Sequence, residues 1–333
     1  MARKLFLHVG PAKTGTSAIQ AHFKAHECST LYYPETGRWP DGAHHKLIFS
    51  IRQQRQYGNI SIPEWQSLKD SLLAEISATP KNILISSEMC QPNFLVHIKD
   101  VIEDQQLEVV VIMVYRPSAE RAASVYNQNV KDSVVGESAL PDEFIKRNPQ
   151  QFSVRPLFEQ WQSVAPNIRL LSYRAKEPLL ERFMQSVGEV SCKANNGTKF
   201  NRSMGGHALL VMLLANQLVP TEEQRRNVFE KMRILKNFNI WSGDSYPFTK
   251  AATMELQRAV QRDIDWVKQV IPDQKEVMAN IEFTKRFKLT RVQCEQIRVF
   301  FVDCGLYIGS QEVIDSLLRE FSVETSFKSN LDL

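Results

Sequence analysis

Two apolar runs dominate the pattern of hydrophobic and polar positions along the chain. Residues 5–9 read Leu-Phe-Leu-His-Val, and residues 109–115 form the most β-branched run of the sequence. Runs of this kind are typical of parallel strands that are buried on both faces of a sheet. Apolar residues then recur at helical spacing from residue 17, and residues 119–130 have helical composition. Each run therefore predicts a strand that leads into a helix.

Strands and helices are predicted to alternate over the first half of the chain, as they do in sheets built from parallel strand-helix units. Further strands are predicted at 82–87 and 168–173. Helices are predicted at 19–26, 64–78, 94–104 and 179–187, and mainly helical structure at 138–164. After a turn at 195–197, amphipathic helices are predicted at 206–218, 221–236, 249–270, 289–303 and 310–321. The pattern predicts an α/β fold with additional C-terminal helices.

The segment between the first strand and its helix, residues 10–17, reads Gly-Pro-Ala-Lys-Thr-Gly-Thr-Ser. Its two glycines allow the backbone to approach an anion closely, and the N–H groups at the start of the helix point towards that anion. In a nucleoside-triphosphate P-loop the lysine follows the second glycine, whereas Lys13 precedes Gly15. The loop therefore predicts a phosphate or sulfate site with an unusual lysine position.

Arg116 follows the second apolar run directly, and Pro117 ends that strand. Ligands of open α/β sheets bind beyond the carboxyl ends of the strands, so Arg116 and the Lys13 loop are expected to face one crevice. The planar guanidinium suits a phosphate group, and the hydroxyl of Ser124, on the next helix, is a further candidate donor.

These motifs resemble those of a known family. Lys-Thr-Gly-Thr-Ser after His-Val-Gly, and Arg-Pro before Ser-x-Tyr-x-x-x-x-Lys, resemble the sulfotransferases that use 3′-phosphoadenosine-5′-phosphosulfate, and most of all the bacterial carbohydrate-type enzymes. The resemblance implies a three-layer αβα parallel sheet of the P-loop nucleotide-binding type. It also implies that the 5′-phosphosulfate is held by Lys13, Thr14, Gly15, Thr16 and Ser17, and the 3′-phosphate by Arg116 and Ser124. Asn201-Arg202-Ser203 resembles a later loop on the cofactor side, which makes Arg202 and Ser203 further cofactor ligands.

Sulfuryl transfer needs a cation at the leaving oxygen and a base for the acceptor hydroxyl. Lys13 is the candidate cation. Glu88, which follows the strand at 82–87, is one candidate base, and His45 is the other, as a base or an acceptor-binding residue with His44 behind it. The alternative interpretations are a structural ion pair for Glu88 and plain loop positions for the two histidines.

Composition and charge limit which binding partners and which cellular compartment are expected. The net charge of +4 includes no long basic run, which suits an anionic nucleotide better than a nucleic acid. The five cysteines are scattered and read as reduced thiols, and no apolar segment reaches membrane-spanning length. The first predicted strand begins almost at Met1, so a signal peptide is not expected. No cluster has zinc spacing and no carboxylate follows the loop as in a magnesium-dependent kinase, so the prediction is a cytoplasmic enzyme without a metal.

The sequence thus predicts a sulfotransferase that acts in line, with a general base, on a hydroxyl of a carbohydrate or glycolipid-type acceptor. A single domain over 1–333 is expected, with an α/β cofactor-binding core at 1–195 and a helical extension at 196–333 that shapes the acceptor cleft. A P-loop small-molecule kinase or nucleotide hydrolase is the alternative enzyme class, and a catalytically inactive nucleotide-binding protein is the third possibility. The lysine position and the lack of a metal carboxylate count against the kinase.

Overall fold

The structure is a computed structural model that describes residues 2–189, 204–219, 221–234, 247–271, 289–306 and 311–321. The chain divides into two compact units. The first unit contains the described residues within 2–117, 153–189 and 261–271. The second unit contains those within 118–152, 204–260, 289–306 and 311–321. The predicted boundary at residue 195 stays a prediction.

The first unit is built on a five-stranded parallel sheet. Its strands, in chain order, are β1 (Lys4–Val9), β2 (Leu31–Tyr32), β5 (Asn82–Ser87), β6 (Glu108–Tyr115) and β7 (Ile168–Ser172), and a separate hairpin is formed by β3 (Gln56–Tyr57) and β4 (Ile60–Ser61). The spatial order is β2-β5-β1-β6-β7, so β1 lies at the centre. Val9 is in register with Ser87, and His8 with Ile112, so β1, β5 and β6 all end at the same edge.

Helices cover both faces of this sheet. They are α1 (Thr16–Ala25), α2 (His45–Ile51), α3 (Trp65–Ser77), α4 (Phe94–His97), α5 (Lys99–Asp104), α8 (Arg155–Gln162), α9 (Leu179–Val187) and α13 (Gln261–Val270). Leu5 and Leu7 pack in one core cluster with α2, α3 and α8, whereas Phe6 packs in a second cluster with α1 and α9. Side chains alternate between the faces of a strand, so the two clusters are the two faces of one buried sheet. The predicted three-layer α/β fold is confirmed.

The described elements of the second unit are helical. They are α6 (Ser118–Lys131), α7 (Pro141–Arg147), the 3₁₀-helix Pro149–Phe152, α10 (Gly206–Leu218), α11 (Glu222–Ile234), α12 (Lys250–Ala259) and the helices Arg291–Asp303 and Gln311–Phe321. The helices α10 and α12 pack against α6. Among the described helices, none combines the length and apolar character needed to cross a membrane.

Most predicted elements agree with the structure to within a few residues, and the differences are local. The predicted helix 94–104 is two short helices that meet at Ile98, and the predicted helix 249–270 is broken at Val260. The short strand β2, the hairpin and α2 were not predicted. His45 was expected in a loop, but it is the first residue of α2. The polar residues before it hid that helix, whose buried face is supplied by Leu47, Ile48 and Phe49.

Candidate functional site

The loop between β1 and α1 has an unusual backbone. Lys13 has a φ of 67° and Gly15 a φ of 91°, both in the left-handed region. Gly15 is also the residue before the first turn of α1, and a Cβ atom there would lie 2.6 Å from Leu179 Cδ2. The first N–H groups of a helix have no partner inside the helix, and turns of this kind form a concave surface that favours anions. The loop can therefore cradle a phosphate or sulfate group.

The predicted loop ligands differ in what their side chains can offer. The Thr14 side chain is buried and donates to the Pro11 carbonyl at 2.8 Å. Thr16 is also buried, whereas Lys13 and Ser17 are half-buried. Thr14 can thus contribute its backbone N–H to an anion, while its hydroxyl closes the turn.

The tip of β5 lies directly against this loop. A Cβ atom at Gly10 would come within 2.8 Å of the Glu88 carbonyl oxygen, so only glycine allows this approach. Glu88, the residue after β5, is therefore positioned at the start of this loop.

Arg116 approaches the loop from the other side, at the end of β6. Its Nη1 donates to the Lys13 carbonyl at 2.9 Å. Its guanidinium lies over the Tyr173 ring, with Cζ 4.6 Å from the ring centroid. Tyr173 follows β7 and is held by a hydrogen bond from its N–H to the Tyr115 carbonyl at 2.6 Å. Three adjacent strand ends thus fix one cation beside the loop.

A buried chain of polar groups holds the Glu88 carboxylate. Gln20, on the buried face of α1, donates through Nε2 to Glu88 Oε2 at 3.0 Å and to Ser86 Oγ at 3.2 Å. The Ser86 hydroxyl is also hydrogen-bonded to His8 Nδ1, 2.8 Å away. Burial lowers the pKa of His8 to about 3, so this imidazole is neutral. The chain fixes the position of Glu88 Oε2.

His45 meets the same carboxylate from α2. Its Nε2 lies 3.7 Å from Glu88 Oε2, and its Nδ1 lies 2.8 Å from Ser87 Oγ. Because Ser87 Oγ accepts the Met89 N–H at 3.3 Å, its own hydrogen can go to His45 Nδ1. His45 Nε2 is then the ring nitrogen that faces the carboxylate. The side chains of His45 and Glu88 are 12% and 18% exposed, so solvent reaches both.

His44 has a different environment from its neighbour. It is fully buried, its Nδ1 accepts the Ser86 N–H at 3.1 Å, and its Nε2 donates to the Pro34 carbonyl at 2.9 Å. Burial lowers its pKa to about 4. The strand β2 pairs only with the first two residues of β5, so His44 supplies partners for the backbone of Ser86. Both ring nitrogens are used within the fold, which leaves His44 without a polar atom for the substrate role expected of it.

The remaining predicted ligands lie elsewhere in the chain. Ser124 is on α6, in the second unit, and Arg202 and Ser203 lie outside the described residues. Their cofactor roles stay predictions. Across the residues that the structure describes, no three His, Cys, Asp or Glu side chains are grouped to hold a metal ion.

Sequence reasoning missed Gln20, Ser86, Ser87 and Tyr173. A signal for Gln20 was present, because it lies between Ile19 and Phe23 on the apolar face of a helix, where a polar residue needs a partner. The two serines directly precede Glu88, but the sequence does not indicate which side chains they meet.

No family model and no curated protein matches the sequence. Solved structures that are similar in part include a sulfotransferase and a toxin-antitoxin system. Mouse sulfotransferase SULT7A1, complexed with PAP, is 12% identical with a TM-score of 0.39, over 83% of this chain and 88% of that one. The PezAT toxin-antitoxin system of Streptococcus pneumoniae is 12% identical with a TM-score of 0.30, over 68% of this chain and 87% of that one. Function is therefore inferred from the site itself.

Proposed function

We propose that the protein transfers a sulfuryl group from 3′-phosphoadenosine-5′-phosphosulfate to a hydroxyl of a carbohydrate or glycolipid-type acceptor. One observation carries the proposal: an anion-binding loop whose lysine precedes its second glycine lies between a fixed guanidinium and a positioned carboxylate. All three are at the carboxyl edge of the sheet, where ligands of open α/β sheets bind.

The loop is assigned to the 5′-phosphosulfate and Arg116 to the 3′-phosphate. The backbone N–H groups at residues 14–17 can meet the anionic oxygens, with the dipole of α1 behind them. Lys13 is assigned to the bridging oxygen, where negative charge grows as the bond to sulfur breaks. A preorganised donor at such a place contributes about 3 to 4 kcal/mol to the transition state.

Glu88 is proposed as the general base, and His45 as the residue that supports it. Gln20 and His45 both approach Oε2 of the carboxylate. Within the described part of the chain, no hydrogen bond to Oε1 is found, so that oxygen can take the proton of the acceptor hydroxyl. His45 Nδ1 lies against Ser87 Oγ and its Nε2 faces Glu88 Oε2, so both ring nitrogens are directed at groups of the protein. His45 then stabilises the charge of Glu88 and helps to hold the acceptor.

Binding and turnover assays test the proposal directly. Calorimetric titration with 3′-phosphoadenosine-5′-phosphate should show one site, and radiolabelled phosphosulfate should label a saccharide in the presence of EDTA. Magnesium-ATP serves as the competing donor. Lack of nucleotide uptake by the full chain, or phosphoryl transfer from ATP without sulfuryl transfer, would overturn the proposed function.

A further inference from the structure

Three aromatic side chains that the mechanism does not use lie beside His45. They are Trp39 from the loop before α2, Phe49 from α2 and Tyr57 from the β3–β4 hairpin, and we call them the aromatic wall. The Trp39 ring centroid is 6.1 Å from that of His45, 5.6 Å from Phe49 and 5.8 Å from Tyr57. The wall is therefore continuous with the imidazole that meets Glu88.

The wall has a rigid base and an exposed outer end. Phe49 is buried, and Tyr57 stacks on it with centroids 5.4 Å apart and an interplanar angle of 5°. Tyr57 remains 40% exposed. The backbone of Trp39 is held by a hydrogen bond from its main-chain N–H to the Ala43 carbonyl at 2.6 Å. These rings thus present a fixed apolar surface next to the proposed base.

The hairpin that carries Tyr57 is held by local hydrogen bonds. Gln54 Nε2 donates to the Gln56 carbonyl at 3.0 Å, and Gln56 Nε2 donates to the Gly58 carbonyl at 2.8 Å. These bonds hold the backbone on either side of Tyr57. A ligand with one flat apolar face and hydroxyls on its edge matches an aromatic surface that adjoins a carboxylate.

We propose that the aromatic wall is the acceptor subsite, and that the acceptor is a pyranoside whose apolar face packs on Trp39 and Tyr57. A pyranose can present a hydroxyl to Glu88 while its apolar C–H face covers the rings. The inference rests on the proposed function, because the wall is assigned to the acceptor of that reaction.

The experiment compares Tyr57→Ala with Tyr57→Phe in the full chain. Tyr57 is on an exposed hairpin, so both variants should fold, and Trp39→Ala is added as a second probe. With phosphosulfate as donor and methyl β-D-glucopyranoside as acceptor, Tyr57→Ala should raise the acceptor KM roughly tenfold, the upper range for one aromatic contact, whereas Tyr57→Phe retains it. Saturation-transfer difference NMR of the glucoside should lose its ring-proton signals in Trp39→Ala. The affinity for 3′-phosphoadenosine-5′-phosphate should not change in any of the three.

The outcomes separate this inference from the proposed function. If the wild-type chain takes up no donor nucleotide, the proposed function fails. If it takes up the nucleotide and transfers sulfate, but Tyr57→Ala and Trp39→Ala keep the acceptor KM, only the aromatic subsite is wrong. Faster transfer to 2-naphthol than to any methyl pyranoside would overturn the saccharide assignment.

Discussion

The two edges of the central sheet both carry positive side chains, but they use them differently. At the amino edge, Arg3, Lys4, Lys81 and Arg169 line a cavity of about 610 Å³. Arg3 Nη2 donates to the Ile76 carbonyl at 2.9 Å, Lys81 Nζ donates to the Cys28 carbonyl at 2.7 Å, and Arg169 donates to the Ser186 carbonyl. Cations at this edge thus satisfy backbone carbonyls, and a roomy cavity with many cations does not by itself indicate a ligand site.

Helix direction explains the contrast. Ile76 and Ser186 belong to the last turns of α3 and α9, so the amino edge faces the negative ends of helices. The carboxyl edge faces the first turn of α1, where N–H groups point outwards. The direction of α1 therefore favours an anion at the carboxyl edge, where Arg116 and Glu88 also lie against the loop.

The largest expected effect distinguishes the acidic residues of the two edges. Glu88→Gln removes the proposed base and should lower kcat by roughly 10² to 10⁴, the usual contribution of general base catalysis. Glu108, at the start of β6, is exposed and has a side-chain partner in Asn167, so Glu108→Gln is the matched control. Steady-state sulfuryl transfer measures both.

If kcat in Glu88→Gln stays within a few-fold of wild type, Glu88 is not the general base. His45→Gln completes the comparison, because the loss of a supporting residue should lower kcat less than the loss of the base itself. A larger loss in His45→Gln than in Glu88→Gln would reverse the two roles.

The lysines of the two edges provide the second comparison. Lys13→Ala should slow transfer by roughly a hundredfold to a thousandfold, because a preorganised cation at the leaving oxygen is lost. Lys4→Ala, at the amino edge, should leave the rate unchanged. Lys13 is in a surface loop, so thermal unfolding of Lys13→Ala should stay close to that of wild type. Equal losses of activity in both variants would show that the effect is one of overall charge.

Much of the carboxyl edge was predictable from the sequence. The features that were not predicted each have a specific physical reason. Apolar runs and glycine spacing predicted β1, β6 and the loop, because burial on both faces and close backbone approach each leave a local pattern. The partnership of Gln20 with Glu88 joins residues far apart in the chain, so no local pattern reports it. His44 and His45 differ only by one step at the start of α2, yet one ring turns to the backbone of β5 and the other to the carboxylate.

Stability at the carboxyl edge should depend on pH. His8 and His44 have pKa values of about 3 and about 4 in the folded protein, because burial disfavours the charged imidazole. The unfolded chain binds their protons near the ordinary pKa of 6.5, so the free energy of unfolding falls as the pH drops from 6.5 towards 4. Between pH 7.5 and pH 5, each buried histidine should lower the free energy of unfolding by about 2 kcal/mol.

Denaturant unfolding of wild type and His44→Gln at the two pH values measures this contribution. The variant loses hydrogen bonds and should be less stable at pH 7.5, but its loss between pH 7.5 and pH 5 should be smaller by about 2 kcal/mol. Burial and the nearby His26 also lower the pKa of His22, and because His22 is present in both proteins its contribution cancels in this comparison. An unchanged pH dependence in His44→Gln would mean that His44 is not buried as the structure has it.

The smallest expected effect tests whether shape, rather than charge, defines the cation at the carboxyl edge. Arg116→Lys keeps the charge but loses the planar fork that both contacts the Lys13 carbonyl and stacks on Tyr173. Donor affinity should weaken about tenfold, the equivalent of one hydrogen bond to a charged group, with kcat nearly retained. Arg169→Lys is the control at the other edge, and calorimetry with 3′-phosphoadenosine-5′-phosphate measures both. If Arg169→Lys weakens nucleotide binding as much as Arg116→Lys does, the two edges do not differ in the way that their helix directions require.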